Sequence, residues 1–334
     1  MSRVFVAGAG SWGTALGVLL AREGHEVRLW MRSPDKAEAV AEAGENEAYL
    51  PGVPLPDLLT PSSDLVDVAG SDACLFVVPA QHARHWMEEL RQASSEAALP
   101  VALCSKGLER STLMPMHEVL AEAWPEARGA VLSGPSFAAD VARGLPTAVT
   151  LACESQAERE RWLSLVSAAN FRLYASDDPF GAEIGGAVKN VLAIACGIAI
   201  GKGFGESAKA ALIARGFAEL QRFGLAMGAK QETLSGLSGL GDLVLTANSP
   251  QSRNFSLGLA LGQGAEPAAY LRSQRSVAEG AATARPLTEK ARAAGVEMPI
   301  CEGVAAIVEG RDGVDETIAK LMNRPLRAEG AGKS

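Results

Sequence analysis

The chain has 334 residues, of which 48% are hydrophobic, 21% charged and only 5% aromatic. At roughly 100–200 residues per domain, that is enough for two domains, each with a core built mainly from Ala, Leu and Val. A formal net charge of −8 sets aside nucleic acid and an anionic membrane surface, since both need a broad basic face.

In chain order, the first half alternates β-rich runs with helical patterns. Strands are predicted at Val4–Ala7, Glu26–Trp30, Ala73–Val78, Val101–Cys104, Ala130–Leu132 and Thr147–Leu151, and helices at Gly13–Glu23, Pro34–Ala43 and Ala83–Gln92. Such alternation predicts an α/β domain with a doubly wound parallel sheet. The polar run Ser176-Asp177-Asp178-Pro179 reads as a boundary. It separates an α/β domain at 1–178 from an all-helical domain at 179–334. Helices are expected there at Gly181–Ile200, Ser207–Met227, Asn254–Leu261, Ser276–Ala294 and Gly303–Val308, with a frayed tail from Ala328 to Ser334.

Arg3-Val4-Phe5-Val6 runs straight into a glycine loop, which reads as mature structure without a signal peptide. The longest apolar run, between Lys189 and Lys202, falls short of the roughly 20 residues of a membrane span. The five cysteines, Cys74, Cys104, Cys153, Cys196 and Cys301, lie far apart with no metal-ligand spacing. They read as reduced thiols of a cytoplasmic protein that holds no metal.

Gly8-Ala9-Gly10-Ser11-Trp12-Gly13 is a GxGxxG sequence between an apolar strand and an apolar helical pattern. In that context each glycine has a mechanical reason. Gly8 permits the tight turn, Gly10 the approach of a pyrophosphate, and Gly13 the packing of helix on strand. The helix N-terminus offers N–H groups and a positive dipole end. After the second strand comes Leu29-Trp30-Met31-Arg32-Ser33, with no acid for a ribose 2′-hydroxyl and with an arginine instead. The planar guanidinium suits a 2′-phosphate, which favours NADPH, with NADH possible.

Ligands of open α/β sheets bind beyond the carboxyl ends of strands. Three polar clusters follow later strands: Pro79-Ala80-Gln81-His82, Ser105-Lys106-Gly107 and Ser133-Gly134-Pro135-Ser136. They are expected to gather with the glycine loop on one rim. Lys106 could meet an anion and His82 a nicotinamide, although either is also an ordinary surface residue.

In the second half, Glu183–Ala195 is apolar nearly all round except at Lys189 and Asn190. Burying an ammonium is costly without a partner or a purpose. Desolvation would lower its pKa, and a carbonyl under reduction needs a proton donor at its oxygen. Asp242, after Gly239-Leu240-Gly241, could pair with Lys189 and orient it. Ser252-Arg253-Asn254 groups a hydroxyl, a guanidinium and an amide, a set that fits a phosphate.

Together, Gly8–Gly13, Ser105–Glu109, Ser133–Ala138, Lys189-Asn190-Val191, Gly239–Leu243 and Ser252–Asn254 resemble the bacterial-type NAD(P)-dependent glycerol-3-phosphate dehydrogenase family, from Gly8 to about Gly280. The resemblance implies a Rossmann domain followed by an all-α domain, as in 6-phosphogluconate dehydrogenases. It implies reversible reduction of dihydroxyacetone phosphate to sn-glycerol 3-phosphate for glycerophospholipid synthesis. It gives Lys189 the general acid/base role. It places Ser11, Trp12, Arg32, Lys106, Ala138, Arg253, Val277 and Glu279 at the cofactor. Lys106, Gly134, Ser136, Lys189, Asp242, Ser252, Arg253 and Asn254 would hold the triose phosphate. The chain differs from the family pattern at Ala247-Asn248 and in the position of His82. A homodimer is compatible with the Ala-rich helical half.

Two rivals share parts of this pattern. A ketopantoate reductase or 6-phosphogluconate-type enzyme would have the loop and a helical lysine but not both Gly134-Pro135-Ser136 and Ser252-Arg253-Asn254. A non-catalytic dinucleotide sensor would have no use for a buried Lys189.

Overall fold

Val4-Phe5-Val6-Ala7 is buried at every position because its sheet is covered on both faces. Val4 and Val6 pack with Leu16 and Leu20 in one core cluster, and Phe5 and Ala7 with Met87, Leu90 and Val119 in the other. The computed structural model describes residues 1–94, 98–273 and 278–325. Its first half runs β1 Arg3–Ala7, α1 Ser11–Arg22, β2 Glu26–Trp30, α2 Pro34–Ala43, β3 Leu59–Ser62, β4 Ala73–Phe76, α3 Ala83–Ala93, β5 Pro100–Leu103, α4 Met116–Ala123, β6 Arg128–Ser133, α5 Ala138–Ala142, β7 Thr147–Ala152, α6 Gln156–Val166 and β8 Phe171–Ser176.

The eight strands pair in the order β3-β2-β1-β4-β5-β6-β7-β8. All neighbours are parallel except β6 and β7, which run antiparallel. The order reverses between β1 and β4, the switch point where doubly wound sheets bind ligands. Strands β3 and β8 carry no clear sequence signal. β3 contains Pro61, which cannot donate to a ladder and is tolerated at an edge. β8 is the other edge, and its Arg172 and Tyr174 face solvent.

Among the described residues no strand follows β8. The helices are α7 Pro179–Gly201, α8 Gly205–Ala226, α9 Gln231–Ser235, α10 Asp242–Ala247, α11 Arg253–Gly262, α12 Pro267–Ser273, α13 Glu279–Ala293, α14 Pro299–Val308 and α15 Val314–Met322. The start of the helix expected from Ser276 lies outside the described residues, as does the expected tail, and α13 is described from Glu279. The chain packs as two units, residues 1–106 with 114–183 and residues 107–113 with 184–334. By packing, the division falls after Glu183, inside α7. Asp178, just before α7, accepts from Gly181 N through its Oδ1 at 2.8 Å and so ties the polar turn to the first turn of the helix.

With 23 residues, α7 is long and apolar enough to cross a membrane, but 89% of its apolar window is buried inside the protein. It exceeds the apolar run read after Lys189 because the helix also extends N-terminally to Pro179. In the second unit α7 meets α11 through glycines. A Cβ on Gly197 would lie 2.1 Å from Phe255 O, and one on Gly258 2.0 Å from Ile194 O. The pair Gly201 and Gly262 repeats the contact one turn on. Backbone therefore meets backbone, and the helix N-terminus carrying Ser252-Arg253-Asn254 is drawn against α7. All five cysteines are free and buried. Burial pushes the Cys104 and Cys196 thiols up to about 12.

Candidate active site

The glycine loop joins β1 to α1. Gly8 has φ +114, and a Cβ there would press on Val77 O at 3.0 Å. A Cβ on Gly13 would lie 1.8 Å from Gly8 O, so the turn closes only with glycine at both positions. Gly10 is the N-cap of α1, no side chain caps that end, and nothing lies within 4 Å of where its Cβ would be. This is a bare helix N-terminus beside open space, and it fits a dinucleotide pyrophosphate. Ser11 and Trp12 form the first helical turn, and the half-buried Trp12 ring lies 6.5 Å from that of Phe171. Arg32 is exposed two residues past the end of β2, followed by Ser33, whose hydroxyl caps α2.

The later strands in the first unit bring their polar clusters to this loop. Gly8 packs on Val77 and Val78 after β4. Ser105 Oγ, after β5, donates to Val78 O at 2.5 Å. Lys106 Nζ donates to Gly134 O at 3.3 Å, as does Ser136 Oγ at 3.3 Å. Gly134 has φ +155, and a Cβ there would meet Val149 Cα at 2.9 Å, so a side chain is excluded on both counts. Ala138 opens α5. Four strand ends thus form one continuous rim. His82 is exposed in the 3-10 turn that precedes α3.

In the second unit, Lys189 is 7% exposed and Asp242 1%. Lys189 Nζ donates to Asp242 Oδ1 at 2.6 Å and to Thr246 Oγ1 at 2.8 Å, and Thr246 Oγ1 also lies 3.2 Å from Asp242 Oδ1. A carboxylate thus stands directly against the buried amine. Asp242 reaches this place through a π-helical turn, Leu237–Gly241, which precedes α10. Gly185 makes room for that turn, since a Cβ there would be 2.5 Å from Ser238 O. Single π turns of this kind are frequent at functional sites.

Beside Lys189, Asn190 Oδ1 accepts from Asn254 Nδ2 at 2.9 Å, and Asn254 Oδ1 accepts from Gly280 N at 2.9 Å. Ser252 Oγ accepts from Phe255 N at 3.2 Å and so caps α11. Of the three residues grouped by sequence, Ser252 and Asn254 are buried, and Arg253 is exposed at the first helical position. Glu279 opens α13, and Val277 lies outside the described residues.

Two family models match the chain. The one described as NAD-dependent glycerol-3-phosphate dehydrogenase N-terminus matches residues 3–159, and the C-terminus model of the same enzyme matches residues 178–319. The chain belongs to the NAD-dependent glycerol-3-phosphate dehydrogenase family. A relative from Parvibaculum lavamentivorans named glycerol-3-phosphate dehydrogenase (NAD(P)+) is 54% identical over 98% of both chains. One of the same name from Hyphomonas neptunium is 54% identical over 97% of this chain and 96% of its own. The crystal structure of glycerol-3-phosphate dehydrogenase from Coxiella burnetii superposes with a TM-score of 0.92 at 37% identity, covering 97% of this chain and 99% of that one.

For a member of this family, two polar residues at the heart of the two units escaped the sequence reading. Thr246 lies four residues after Asp242, on the same face of α10, and the i,i+4 spacing would have exposed it had that six-residue helix been predicted. Asn46 lies in a loop and acts across a long sequence separation, and no local pattern marks it.

Proposed function

We propose that the chain reduces dihydroxyacetone phosphate to sn-glycerol 3-phosphate, reversibly, with NADPH as the preferred cofactor and NADH as an alternative. The observation that carries this reading is the buried Lys189, held at 2.6 Å by Asp242 and at 2.8 Å by Thr246, in a chain of this family. When bound, NAD(P)H supplies the hydride. Lys189 supplies the proton at the C2 oxygen in reduction and removes it in oxidation. Asp242 and Thr246 orient the amine and hold its charge. A positioned cation near the carbonyl also stabilises the negative charge that develops on oxygen.

The other assignments follow the family resemblance. In the first unit, Gly8, Gly10, Ser11, Trp12, Gly13, Arg32 and Ala138 are assigned to the cofactor, Lys106 to cofactor and substrate, and Gly134 and Ser136 to the substrate. In the second, Lys189, Asp242, Ser252, Arg253 and Asn254 are assigned to the substrate, with Arg253, Val277 and Glu279 also at the cofactor. The α11 N-terminus and Arg253 suit the phosphate, which the overall charge of −8 would repel. We assign the exposed Arg32 to a 2′-phosphate. The product would serve glycerophospholipid synthesis in the cytoplasm, with a second copy of the chain as partner, a state that sedimentation would measure.

The test is the initial rate of NADPH and NADH oxidation with dihydroxyacetone phosphate against ketopantoate. Turnover with the triose phosphate and not with ketopantoate is expected. No turnover with the triose phosphate would overturn the reading.

A further inference from the structure

Asn46 lies between α2 and β3, outside every motif considered above, and is 2% exposed. Its Nδ2 donates to Ala9 O at 3.0 Å and to Thr14 Oγ1 at 2.8 Å. These two acceptors bracket the glycine loop: Ala9 separates Gly8 from Gly10, and Thr14 follows Gly13. A third tie comes from the same segment, since Ser11 Oγ donates to Tyr49 O at 2.7 Å. The segment is itself fixed. Tyr49 N and Leu50 N donate to Asn46 O at 3.1 and 2.8 Å, and Leu55 N donates to Gly44 O at 2.8 Å. Leu50 and Val53 anchor it in the core.

The chemistry at this point calls for an amide. A carbonyl and a hydroxyl oxygen both face position 46 as acceptors, and one NH2 group has two hydrogens to give them. A carboxylate of the same shape has none, and a methyl leaves both acceptors without that donor. A loop dominated by Gly8, Gly10 and Gly13 has many backbone conformations open to it and needs external ties to keep one.

We infer that Asn46 is a positioning residue for dinucleotide binding: its side-chain amide clamps the two ends of the Gly8–Gly13 loop and so holds the α1 N-terminus in the shape that receives a pyrophosphate. The inference rests on the cofactor reading above. The pyrophosphate is common to NADH and NADPH, so losing the clamp weakens both by the same factor. Arg32 differs in this respect, because it would act on the 2′-phosphate alone.

The experiment titrates the full chain with NADH and with NADPH separately, following tryptophan fluorescence, for wild type, Asn46→Ala, the isosteric Asn46→Asp and Thr14→Val. Thermal unfolding of each ligand-free protein and steady-state kinetics accompany it. For Asn46→Ala we expect both dissociation constants to rise equally, by about tenfold, the size expected for losing one or two buried hydrogen bonds. Asn46→Asp should lose more, and Thr14→Val, which keeps the bond to Ala9, should lose less. Turnover at saturating cofactor and the KM for dihydroxyacetone phosphate should stay within about twofold, since the hydride-accepting chemistry is untouched. Unchanged dissociation constants with a lowered melting temperature would overturn the inference and leave Asn46 a fold-stabilising residue. A loss confined to NADPH would overturn it too. If Asn46→Ala does not fold, Thr14→Val decides: an equal rise for both cofactors supports the clamp, and no change refutes it. A wild-type chain that binds neither dinucleotide would remove the cofactor reading itself.

Discussion

On the proposed reading Lys189 is the general acid, and its neighbourhood makes two kinds of loss separable. Lys189→Ala removes the proposed proton donor while the dinucleotide loop lies in the other unit. Turnover should fall by about 10²–10⁴, the usual worth of a general acid, with NADPH affinity by fluorescence titration nearly intact. Surviving turnover would dismiss the assignment. Asp242→Ala differs in kind, because it removes the carboxylate that pairs with a buried ammonium at 2.6 Å. That costs about 3–5 kcal/mol of stability, visible as an early thermal transition, in addition to lost activity. At the cofactor, Arg32→Ala should weaken NADPH by roughly ten- to a hundredfold, as expected for a charge-assisted phosphate contact, and leave NADH unchanged. Equal losses for both cofactors would mean that Arg32 does not read the 2′-phosphate.

At the scale of elements, close backbone packing sets where the polar groups stand. The α7–α11 contact depends on Gly197, Gly201, Gly258 and Gly262, and it brings Asn254 to Asn190. Gly258→Ala would force α11 away from Ile194 O. The overpacking should cost about 1–3 kcal/mol by thermal or urea unfolding, and turnover should drop because the helix N-terminus at Ser252 moves with it. A second element-level device joins α8 to α14. Glu219, 2% exposed, accepts from Ile300 N at 2.8 Å and Cys301 N at 3.2 Å and so caps α14 from outside. Burial pushes its carboxyl up to about 7, against the two backbone hydrogen bonds, which favour the ionised form. The folded protein therefore holds this proton more tightly than the unfolded chain, whose glutamates ionise near 4.5. The resulting stability is fully present below about pH 4.5 and is lost as pH rises through about 7, on the order of 3 kcal/mol in all. Glu219→Gln should flatten this part of the profile: its melting temperature should fall less than that of wild type between pH 5 and pH 8. Parallel profiles for the two proteins would refute the attribution.

For the whole molecule, local pattern accounts for most of the first unit. The run Val4–Ala7, the GxGxxG loop and the strand-helix alternation carry their own signals because a doubly covered parallel sheet demands continuous apolar strands and helical crossovers. β2 and α2 match the expected spans. The edge strands β3 and β8 and the short helices α5, α9, α10 and α12 were not legible. Edges are half solvated and carry Pro61, Arg172 or Tyr174, and helices of five to seven residues have too few turns for a period to stand out. Lys189 was legible as an anomaly, a charge in an apolar helix. Its second partner, Thr246, was not, since a threonine four residues past an aspartate is unremarkable until the helix is known.

The amino-acid sequence by itself determined the layer architecture, the dinucleotide loop and the unusual lysine. Each depends on residues near one another in the chain, where period, glycine spacing and charge burial act directly. Only the tertiary structure decided the order of the sheet, with its antiparallel step from β6 to β7, and the division of the chain after Glu183. It also decided that Asn254 bonds to Asn190 and Gly280, and that Asn46 reaches across 32 residues to Thr14. These depend on which surfaces meet once the cores close, and hydrogen bonds between distant residues leave no local period by which they could be read beforehand.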